Sequence, residues 1–318
     1  MPISLRPQVS AAERSAVLAL TQTAADHDGT SALSEASRLA LQPDAAPAGH
    51  LLLTDGQATI GYAQVWSDAS AELVIAPEAR RRGHGSTLWR RALAEGAWRV
   101  WAHGDLPEAR AFAAAHDLVP VRSLLKMGRP LTASDHSPRP LPPTYAVTTF
   151  AEYAAHTSSE AALEELRALN AAAFASHPEQ GRLTTADLAA RMDQPWFDPA
   201  GLLLVLDDEH PQRGPVAFHW TKIESDASEI EAGKSDASEI SAGEIYVVGV
   251  HPDYQGRGLA GPLTDLGLAH LAAAGCTDVE LYVDGENTPA RATYEKAGLS
   301  VLTTDTVYGD SVYGRIER

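Results

Sequence analysis

One pattern occurs twice in this chain and decides its fold. The second copy, VGVHPDYQGRGLAGPLTDLGL, occupies residues 248–268, and the first copy, LVIAPEARRRGHGSTLWRRAL, occupies residues 73–93, 175 positions earlier. In each copy an apolar, β-rich run ends at a proline, a polar loop with glycine follows, and an apolar pattern with helical spacing comes next. Each half of the chain therefore contains the same predicted strand, loop and helix.

A second predicted strand and helix follow each copy. DVELYVDGENTPARATYEKAGLSV, from Asp278, contains a β-rich run, a turn, and a helix that Pro289 opens and Gly298 ends. WRVWAHGDLPEARAFAAAHDLVPV, from Trp98, is its weaker relative, with Pro107 at the helix start. A period this long indicates duplicated domains rather than a solenoid of short repeats.

The domain boundaries follow from length and composition. A chain of 318 residues fits two domains of roughly 150 residues each. The proline-rich stretch PLTASDHSPRPLPP can form neither a helix nor a central strand. We expect an N-terminal domain over residues 1–129, a linker over residues 130–143 and a C-terminal domain over residues 144–318.

Composition restricts the function. Hydrophobic residues make up 44% of the chain and charged residues 21%, which is typical of a globular protein. There are 25 basic and 42 acidic residues, a net charge of -17, which disfavours bulk attraction to nucleic acid or an anionic membrane. A polyanionic ligand would need a local positive site.

Cysteine content and the N-terminus indicate the compartment. Cys276 is the only cysteine, which excludes an intrachain disulfide and suits a reducing cytoplasm. Charged residues interrupt the N-terminal apolar run, so we expect no signal peptide or membrane span and a soluble, cytoplasmic protein. No metal is expected either, because the spacing of three histidines matches no metal motif: His27, His177 and His251.

One low-complexity feature stands apart from the duplicated domains. SDASEIEAGK, from Ser225, is followed at once by SDASEISAGE, from Ser235. We interpret this small, acidic repeat as a surface-loop expansion rather than a functional lid.

The glycine loops have the chemistry of an anion site. They read Q-x-x-G-x-A over residues 255–260 and R-x-x-G-x-G over residues 80–85. Glycine allows close approach of the main chain to a ligand, and N–H groups at a helix N-terminus attract anions. The P-loop and dinucleotide motifs are absent. An ordinary strand-to-helix turn is the alternative, and the two copies at fixed spacing favour a pyrophosphate cradle.

These loops, each after a strand that ends at a proline, resemble the GNAT acetyltransferase superfamily. The resemblance implies an α/β fold of two tandem GNAT domains, each a mixed central sheet flanked by helices. Within that superfamily, the stretches GEIYVVGVHPDYQGRGLAGPLT, LYVDGENTPARATYEKAGL and FASHPEQGRLT resemble the mycothiol synthase family, most strongly in the C-terminal half. Acetyl-CoA is then the expected co-substrate.

The resemblance implies an acetyl-CoA site in the C-terminal half and a second site, either occupied or vestigial, in the N-terminal half. The C-terminal site would contain Val248, Gly249, Val250, Gln255, Gly256, Arg257, Gly258, Leu259, Ala260, Gly261, Asn287, Thr288, Pro289, Ala290, Arg291 and Ala292. The N-terminal site would contain Leu73, Val74, Ile75, Arg81, Arg82, Gly83, His84, Gly85 and Ser86. We expect a β-bulge at Gly249, where backbone N–H groups could polarise the thioester.

Acetyl transfer to an amine needs a base for the amine and an acid for the thiolate. Glu244, just before the strand IYVVGV, is the candidate base, and Tyr294 is the general acid that the resemblance implies. The matching positions in the first half are Ala69 and Ala113. That half is therefore expected to be non-catalytic, and a structural role remains the alternative for Glu244 and Tyr294.

The acceptor in the resembled family is cysteinyl-glucosaminyl-inositol, a small-molecule thiol precursor with a cationic amine. By resemblance its site would contain Glu35, Glu179, Lys222, Glu244 and Tyr282. We expect a monomer with neither nucleic acid nor membrane as a partner. Two other functions stay open: an acetyltransferase for another small amine or a protein N-terminus, and a non-catalytic acyl-CoA-binding sensor.

Overall fold

The computed structural model describes residues 1–43, 48–175, 180–223 and 242–310. These residues form two compact units. Unit 1 contains Met1–Leu125 with Asp284–Glu286 and residues 303–310, and unit 2 contains Lys126–Val283 with Asn287–Leu302. Most of the acidic repeat, Glu179 and His177 lie outside the described residues.

Unit 1 is a mixed sheet flanked by helices. Its strands are β1 (Ile3–Arg6), β2 (Gly49–Asp55), β3 (Ala58–Val65), β4 (Ser70–Ile75), β5 (Arg99–Ala102), the first part of β6 (Leu118–Pro130) and the last part of β12 (Ser300–Asp310). Its helices are α1 (Ala11–Asp28), α2 (Glu35–Leu39), α3 (His84–Ala94) and α4 (Pro107–Ala115). The strand order is β1-β2-β3-β4-β5-β12, with β4 and β5 parallel.

Local sequence sets the limits of α1. Ser10 and Glu13 form a reciprocal capping box at its start, and Gly29 ends it with a φ of 72°. The helix buries Val17, Leu20, Thr21 and Ala24, which lie on one face at helical spacing. That face packs into the apolar core of unit 1.

Unit 2 repeats this plan. Its strands are the last part of β6, β7 (Tyr145–Thr149), β8 (Leu202–Asp207), β9 (Pro215–Ile223), β10 (Ala242–Val250), β11 (Asp278–Asp284) and the first part of β12. Its helices are α5 (Phe150–His156), α6 (Ser159–Ala173), α7 (Thr185–Met192), α8 (Ala260–Ala273) and α9 (Thr288–Lys296). The strand order is β6-β11-β10-β9-β8-β7, with β10 and β11 parallel.

The two faces of the unit 2 sheet carry different helices. Phe218 and Trp220 of β9 pack in one apolar cluster with Leu166 of α6. Ala217, on the other face because side chains alternate along a strand, packs with Leu263 of α8. Strand β9 is thus covered on both sides.

Each compact unit includes part of a strand that the chain order would assign to the other unit. The C-terminal part of β12 pairs antiparallel with β5 of unit 1, from Thr306 opposite Ala102 to Gly309 opposite Arg99. Residues 126–130 of β6 instead join unit 2, next to β11. The expected division at residues 129 and 144 therefore differs from these units, because strand pairing across distant sequence was not readable from the local pattern.

The proline-rich segment is part of unit 2 rather than a spacer. Arg129 forms an ion pair with Asp135, and Arg139 forms one with Asp265 on α8, with Nε 2.5 Å from the carboxylate. The Arg139–Asp265 pair thus joins the segment to α8. No described helix is both long and apolar enough to span a bilayer.

A buried ionic cluster joins the end of β5 to β12 within unit 1. The Nδ1 of His103 lies 3.0 Å from Asp305, and its Nε2 lies 3.7 Å from Glu72. The N–H of Gly104 also donates to Asp305, at 2.7 Å. Burial by itself lowers the pKa of His103, but its interactions with Asp305 and Glu72 outweigh burial and raise the pKa to about 9. A protonated histidine thus helps to hold β12 in this sheet.

We predict that this proton makes stability depend on pH. Because the pKa of His103 rises from 6.5 to about 9 on folding, its contribution is complete below pH 6.5 and is lost as the pH increases through 9. The shift corresponds to roughly 3 kcal/mol. Urea unfolding at about pH 6 and about pH 9.5 should show the loss, and His103→Gln should flatten it. The exposed control His136→Gln should behave as wild type, and the same pH dependence in His103→Gln would contradict the prediction.

Candidate active site

The loop after β10 has the geometry of an anion cradle. Gly256 and Gly258 adopt φ angles of 75° and 80°, in the left-handed region that favours glycine. The helix α8 begins directly after them, and no side chain caps its N-terminus. Its first turn has no acidic residue. Its first N–H groups and the positive end of its dipole are therefore suited to an anionic ligand.

The loop after β4 in unit 1 repeats this backbone. Arg81 and Gly83 have φ angles of 63° and 80°, at the positions that match Gly256 and Gly258. No side chain caps α3, which follows. Arg81 keeps a conformation that costs a non-glycine residue about 1 kcal/mol or more. The cradle geometry is thus present in both units.

The first residue of each motif closes the turn. The Gln255 side chain donates to the carbonyl of Val250 at 3.3 Å, and Nε of Arg80 donates to the carbonyl of Ile75 at 3.0 Å. The two acceptors are matching final residues of β10 and β4. Glutamine and arginine share an N–H donor of sufficient reach, which explains why either occurs there. We infer a loop-shaping role for this side chain.

Residues outside the motif support the loop of unit 2. Tyr254 is buried, and its hydroxyl donates to Asp207 at 2.9 Å. The Arg257 guanidinium lies 4.4 Å from the centre of the Tyr254 ring, which is a cation–π distance. Asp207 was not predicted from the sequence, because it comes from β8, far from the loop in the chain.

Strands β10 and β11 diverge beside this loop. Their described pairing runs from Ala242 opposite Asp278 to Ile245 opposite Leu281 and ends there. The rest of β10 pairs with β9 alone. The main chain of Val248, Gly249 and Val250 therefore lies along an edge where a ligand could pair with it. In unit 1, β4 and β5 pair only at Ser70 and Ala71 before diverging.

The bulge lies at Tyr246, not at Gly249 as expected. The pairing of β10 with β9 shifts between Ile245 and Val247, whereas Gly249 pairs in register with Phe218. Glycine is needed at 249 for another reason, since an added Cβ would lie 2.4 Å from the Phe218 ring. The bulge turns Tyr246 and Val247 toward the α6 face, and Val248 then packs on the α8 face.

Glu244 lies two residues before the bulge. It is opposite Lys222 on β9 and Glu280 on β11, so the three side chains share one face of the sheet. The Lys222 ammonium lies 3.7 Å from the Glu244 carboxylate, which is one-fifth exposed. Glu244 is thus ion-paired and accessible at the point where β10 and β11 begin to diverge.

The unit 1 counterpart of Glu244 is Ser70, and the expected Ala69 was wrong by one residue. Ser70 pairs with Arg99 as Glu244 pairs with Glu280, and Arg99 and Glu280 are matching residues of β5 and β11. The bulge in β10 adds one residue that β4 lacks, so the constant spacing of 175 residues between the two copies does not hold before the bulge. Unit 1 still has no carboxylate at this position.

Tyr294 is the seventh residue of α9 and is buried. Burial raises the pKa of its hydroxyl to about 12, so the phenol is neutral across the physiological pH range. Ala113 is the seventh residue of α4 in unit 1 and is buried as well. The hydroxyl is therefore a feature of unit 2 alone.

The divergence of β4 and β5 in unit 1 contains an ionic contact instead. Glu72 and His103 lie on these two strands or just after them, 3.7 Å apart and buried. The backbone N–H of Ser34 donates to Glu72 at 2.8 Å. Burial opposes ionisation of Glu72, but His103 and Ser34 lower its pKa. A charged cluster thus fills the region where unit 2 has Glu244 and the bulge.

The predicted acceptor residues lie in different places. Lys222 is 6% exposed, and its ammonium lies 5.2 Å and 5.6 Å from the ring centres of Trp196 and Tyr246. Tyr282 of β11 is 45% exposed. Glu35 begins α2 in unit 1. Lys222, Glu244 and Tyr282 thus lie in unit 2, with an ion pair between Lys222 and Glu244, and Glu179 lies outside the described residues.

The histidines considered as metal ligands have other contacts. His27 contacts Asp28 at 2.9 Å, and His251 accepts the N–H of Asp253 at 3.2 Å. Among the described residues one group has ligand-like spacing: Asp207, Glu209 and His210. Its Asp207 carboxylate already accepts the Tyr254 hydroxyl, so we assign it a structural role.

We predict that Gly258→Ala weakens acetyl-CoA binding. An added Cβ at Gly258 meets no protein atom within 4 Å, so the variant changes the φ preference and the ligand-facing surface of the loop rather than packing. Losing one charge-assisted hydrogen bond corresponds to an affinity loss of roughly ten- to a hundredfold. Isothermal titration with acetyl-CoA measures it.

Two matched glycines serve as controls for this variant. Gly275→Ala has the same kind of strain, with φ at 90° and open space around the Cβ, but lies at the other end of α8. It should lower stability without changing acetyl-CoA affinity. Gly83→Ala changes the matching loop of unit 1, so any loss of acetyl-CoA affinity in this variant measures binding to unit 1. Equal affinity losses for Gly258→Ala and Gly275→Ala would contradict a specific role for the loop.

Comparison with known proteins agrees with this geometry. Residues 163–299 match the model of the Acetyltransferase (GNAT) family. A relative from Cellulomonas flavigena, named mycothiol acetyltransferase, is 44% identical and covers 96% of this chain and 88% of its own. A relative of the same name from Streptomyces scabiei is 41% identical and covers 96% of this chain and 94% of its own.

Solved structures share the fold. A GCN5-related N-acetyltransferase from Sphaerobacter thermophilus has a TM-score of 0.62 at 21% identity, covering 96% of this chain and 94% of that one. A tandem GNAT protein from the clavulanic acid biosynthesis pathway has a TM-score of 0.64 at 15% identity, covering 96% and 98%. These similarities support the fold alone, and the predicted tandem GNAT fold class is confirmed. This chain is an acetyl-CoA-dependent acyltransferase, and it belongs to the mycothiol acetyltransferase family of the GNAT superfamily.

Proposed function

We propose that this chain transfers the acetyl group of acetyl-CoA to the cysteinyl amine of cysteinyl-glucosaminyl-inositol, the last step of mycothiol formation. The names of the relatives support the acceptor. One observation carries the assignment of the chemistry to unit 2. Glu244 and Tyr294 accompany the anion cradle there, whereas unit 1 has the same cradle with Ser70 and Ala113.

The residues around the loop fit acetyl-CoA. The uncapped N-terminus of α8 and the positive-φ glycines suit the pyrophosphate, and Arg257 adds a positive charge next to the loop. The diverging edge of β10 at Val248–Val250 suits the amide groups of the pantetheine arm. Backbone dipoles bind the polyanion here, which resolves the conflict with a net charge of -17.

Glu244 is the proposed base for the acceptor amine. A free α-amine has a pKa of about 8, so much of it is protonated at neutral pH and must lose that proton before attack. The carboxylate accepts the proton directly or through a water molecule, and Lys222 at 3.7 Å holds the carboxylate in place. The amine nitrogen then forms the C–N bond as the C–S bond breaks.

Tyr294 is the proposed donor to the departing sulfur. With its pKa raised to about 12, the phenol keeps its proton and can donate a hydrogen bond to sulfur as negative charge develops there. A thiol has a pKa of about 8.5, so the thiolate is a competent leaving group once it is hydrogen-bonded. Tyr294 then passes its proton to the thiolate, so that CoA leaves as the thiol, and the second proton, which the nitrogen loses as the amide forms, returns Tyr294 to its neutral form.

The remaining expectations complete the proposal. Glu35 and Tyr282 supply hydrogen-bonding groups for the sugar and inositol of the acceptor, as the family resemblance implies. Unit 1 binds acetyl-CoA without catalysis. The protein acts as a monomer in a reducing cytoplasm, which suits its free and buried Cys276.

We predict a strong preference for the cysteinyl acceptor. The purified chain with acetyl-CoA should acetylate cysteinyl-glucosaminyl-inositol at the amine, and free CoA should appear at the same rate. Mass spectrometry and thiol release measure both products. Spermine, glucosamine and a peptide N-terminus are the competing acceptors. Faster turnover of any of these amines would contradict the proposed acceptor. No turnover of any amine would support the alternative of a non-catalytic acyl-CoA-binding sensor.

We predict separate kinetic effects for the two side chains. Glu244→Gln should lower kcat/KM by roughly a hundred- to ten-thousandfold near neutral pH, with a smaller loss above about pH 8, where the amine is neutral. Tyr294→Phe should lower kcat at all these pH values while acetyl-CoA affinity is kept. The exposed control Glu160→Gln should match wild type. Wild-type kinetics in both variants would leave Glu244 and Tyr294 as structural residues.

A further inference from the structure

Four charged residues cross the α6-side face of the unit 2 sheet in one row. Lys222 on β9 is opposite Glu244 on β10, which is opposite Glu280 on β11. Lys126, from β6 on the far side of β11, completes the row, with its ammonium 2.6 Å from the Glu280 carboxylate. The order of charges is therefore positive, negative, negative, positive.

Two carboxylates are direct neighbours in this row. Adjacent strands lie about 4.8 Å apart, and like charges directly opposite each other are destabilising unless a cation compensates them. In the strand order each carboxylate has its lysine partner on the neighbouring strand away from the other carboxylate, Lys222 on β9 for Glu244 and Lys126 on β6 for Glu280. A cationic ligand that contacts both carboxylates would add to the compensation that the two lysines supply.

The ion pair of Glu280 with Lys126 is accessible to a ligand. The side chains of Lys126 and Glu280 are both 26% exposed, in contrast to Lys222, which is enclosed by aromatic rings. The Lys126 ammonium also lies 5.8 Å from the centre of the Tyr282 ring. Glu280 thus lies between the candidate base and a candidate acceptor-binding residue on the same face.

We propose that Glu280 binds the acceptor as a second carboxylate, with Lys126 as its positioning residue. This inference rests on the proposed function. Glu280 and Glu244 together receive the protonated amine, and Glu244 then removes its proton. Lys126 holds the Glu280 carboxylate by the 2.6 Å ion pair so that it faces the same region as Glu244. The site is thereby specific for an acceptor that arrives as a cation.

The test uses Glu280→Gln in the full chain, with acceptor and acetyl-CoA varied separately. The acceptor KM should increase by roughly ten- to a hundredfold, the effect of losing one charge-assisted hydrogen bond. The kcat should change by less than about threefold, because the base is retained, and the acetyl-CoA KM should be unchanged. The increase in acceptor KM should be larger below about pH 8 than above it, because only the protonated amine has a charge to lose.

Lys126 variants separate positioning from simple packing. Lys126→Met should increase the acceptor KM, and Lys126→Arg should restore it. The double variant Lys126→Met/Glu280→Gln should be no worse than Glu280→Gln alone, because Lys126 acts through that carboxylate. Thermal unfolding of each variant checks folding, and Glu160→Gln is the surface control.

Two results would overturn the inference. One is a wild-type acceptor KM in folded Glu280→Gln, and the other is a loss confined to kcat. Either result can be told apart from failure of the proposed function, because that failure would appear in the wild-type chain as absent turnover of the cysteinyl acceptor.

Discussion

The parallel pairing of β10 with β11 ends at Ile245 and Leu281, and the candidate site depends on this early end. Two parallel strands that stayed paired would satisfy each other's backbone groups and leave no edge for a ligand. Here β10 continues for five more residues against β9 alone. The result is a stretch of β10 main chain that does not pair with β11, with the glycine loop at one end and Glu244 near the other.

The one-residue bulge at Tyr246 changes which side chains of β10 face each side of the sheet. Before the bulge, Glu244 faces the α6 side, where charged and aromatic side chains surround it. After the bulge, Val248 packs toward α8 and its main chain lines the diverging edge. A regular strand would keep one alternation throughout, and the side chains after residue 246 would then face the opposite sides. Unit 1 lacks this shift between β3 and β4, whose register is continuous over the described pairs.

The two units have similar backbone geometry and different side chains beside it. Both keep the positive-φ loop, the uncapped helix and the side chain that closes the turn, although Arg81 must adopt a glycine-like conformation. They differ where chemistry would occur. Unit 2 has ion pairs on an accessible face, whereas unit 1 buries Glu72 and His103 in a cluster that supports its sheet. The two units thus share backbone geometry and differ in the side chains next to it.

The sequence by itself determined the duplicated strand, loop and helix, the glycine loops and Glu244 as a candidate, because these depend on residue types at short spacing. The role of Tyr294 came from the resemblance to the GNAT superfamily. Tertiary structure decided what depends on pairing between distant strands. The strand register shows that the unit 1 counterpart of Glu244 is Ser70 rather than Ala69, and that the bulge lies at Tyr246 rather than at Gly249. It also brought Glu280 next to Glu244, and Lys126 next to Glu280. The sequence also did not predict that the last part of β6 belongs to unit 2 and the last part of β12 to unit 1. An amphipathic strand shows which face is buried, but which neighbour it joins is decided by the packing of the whole sheet.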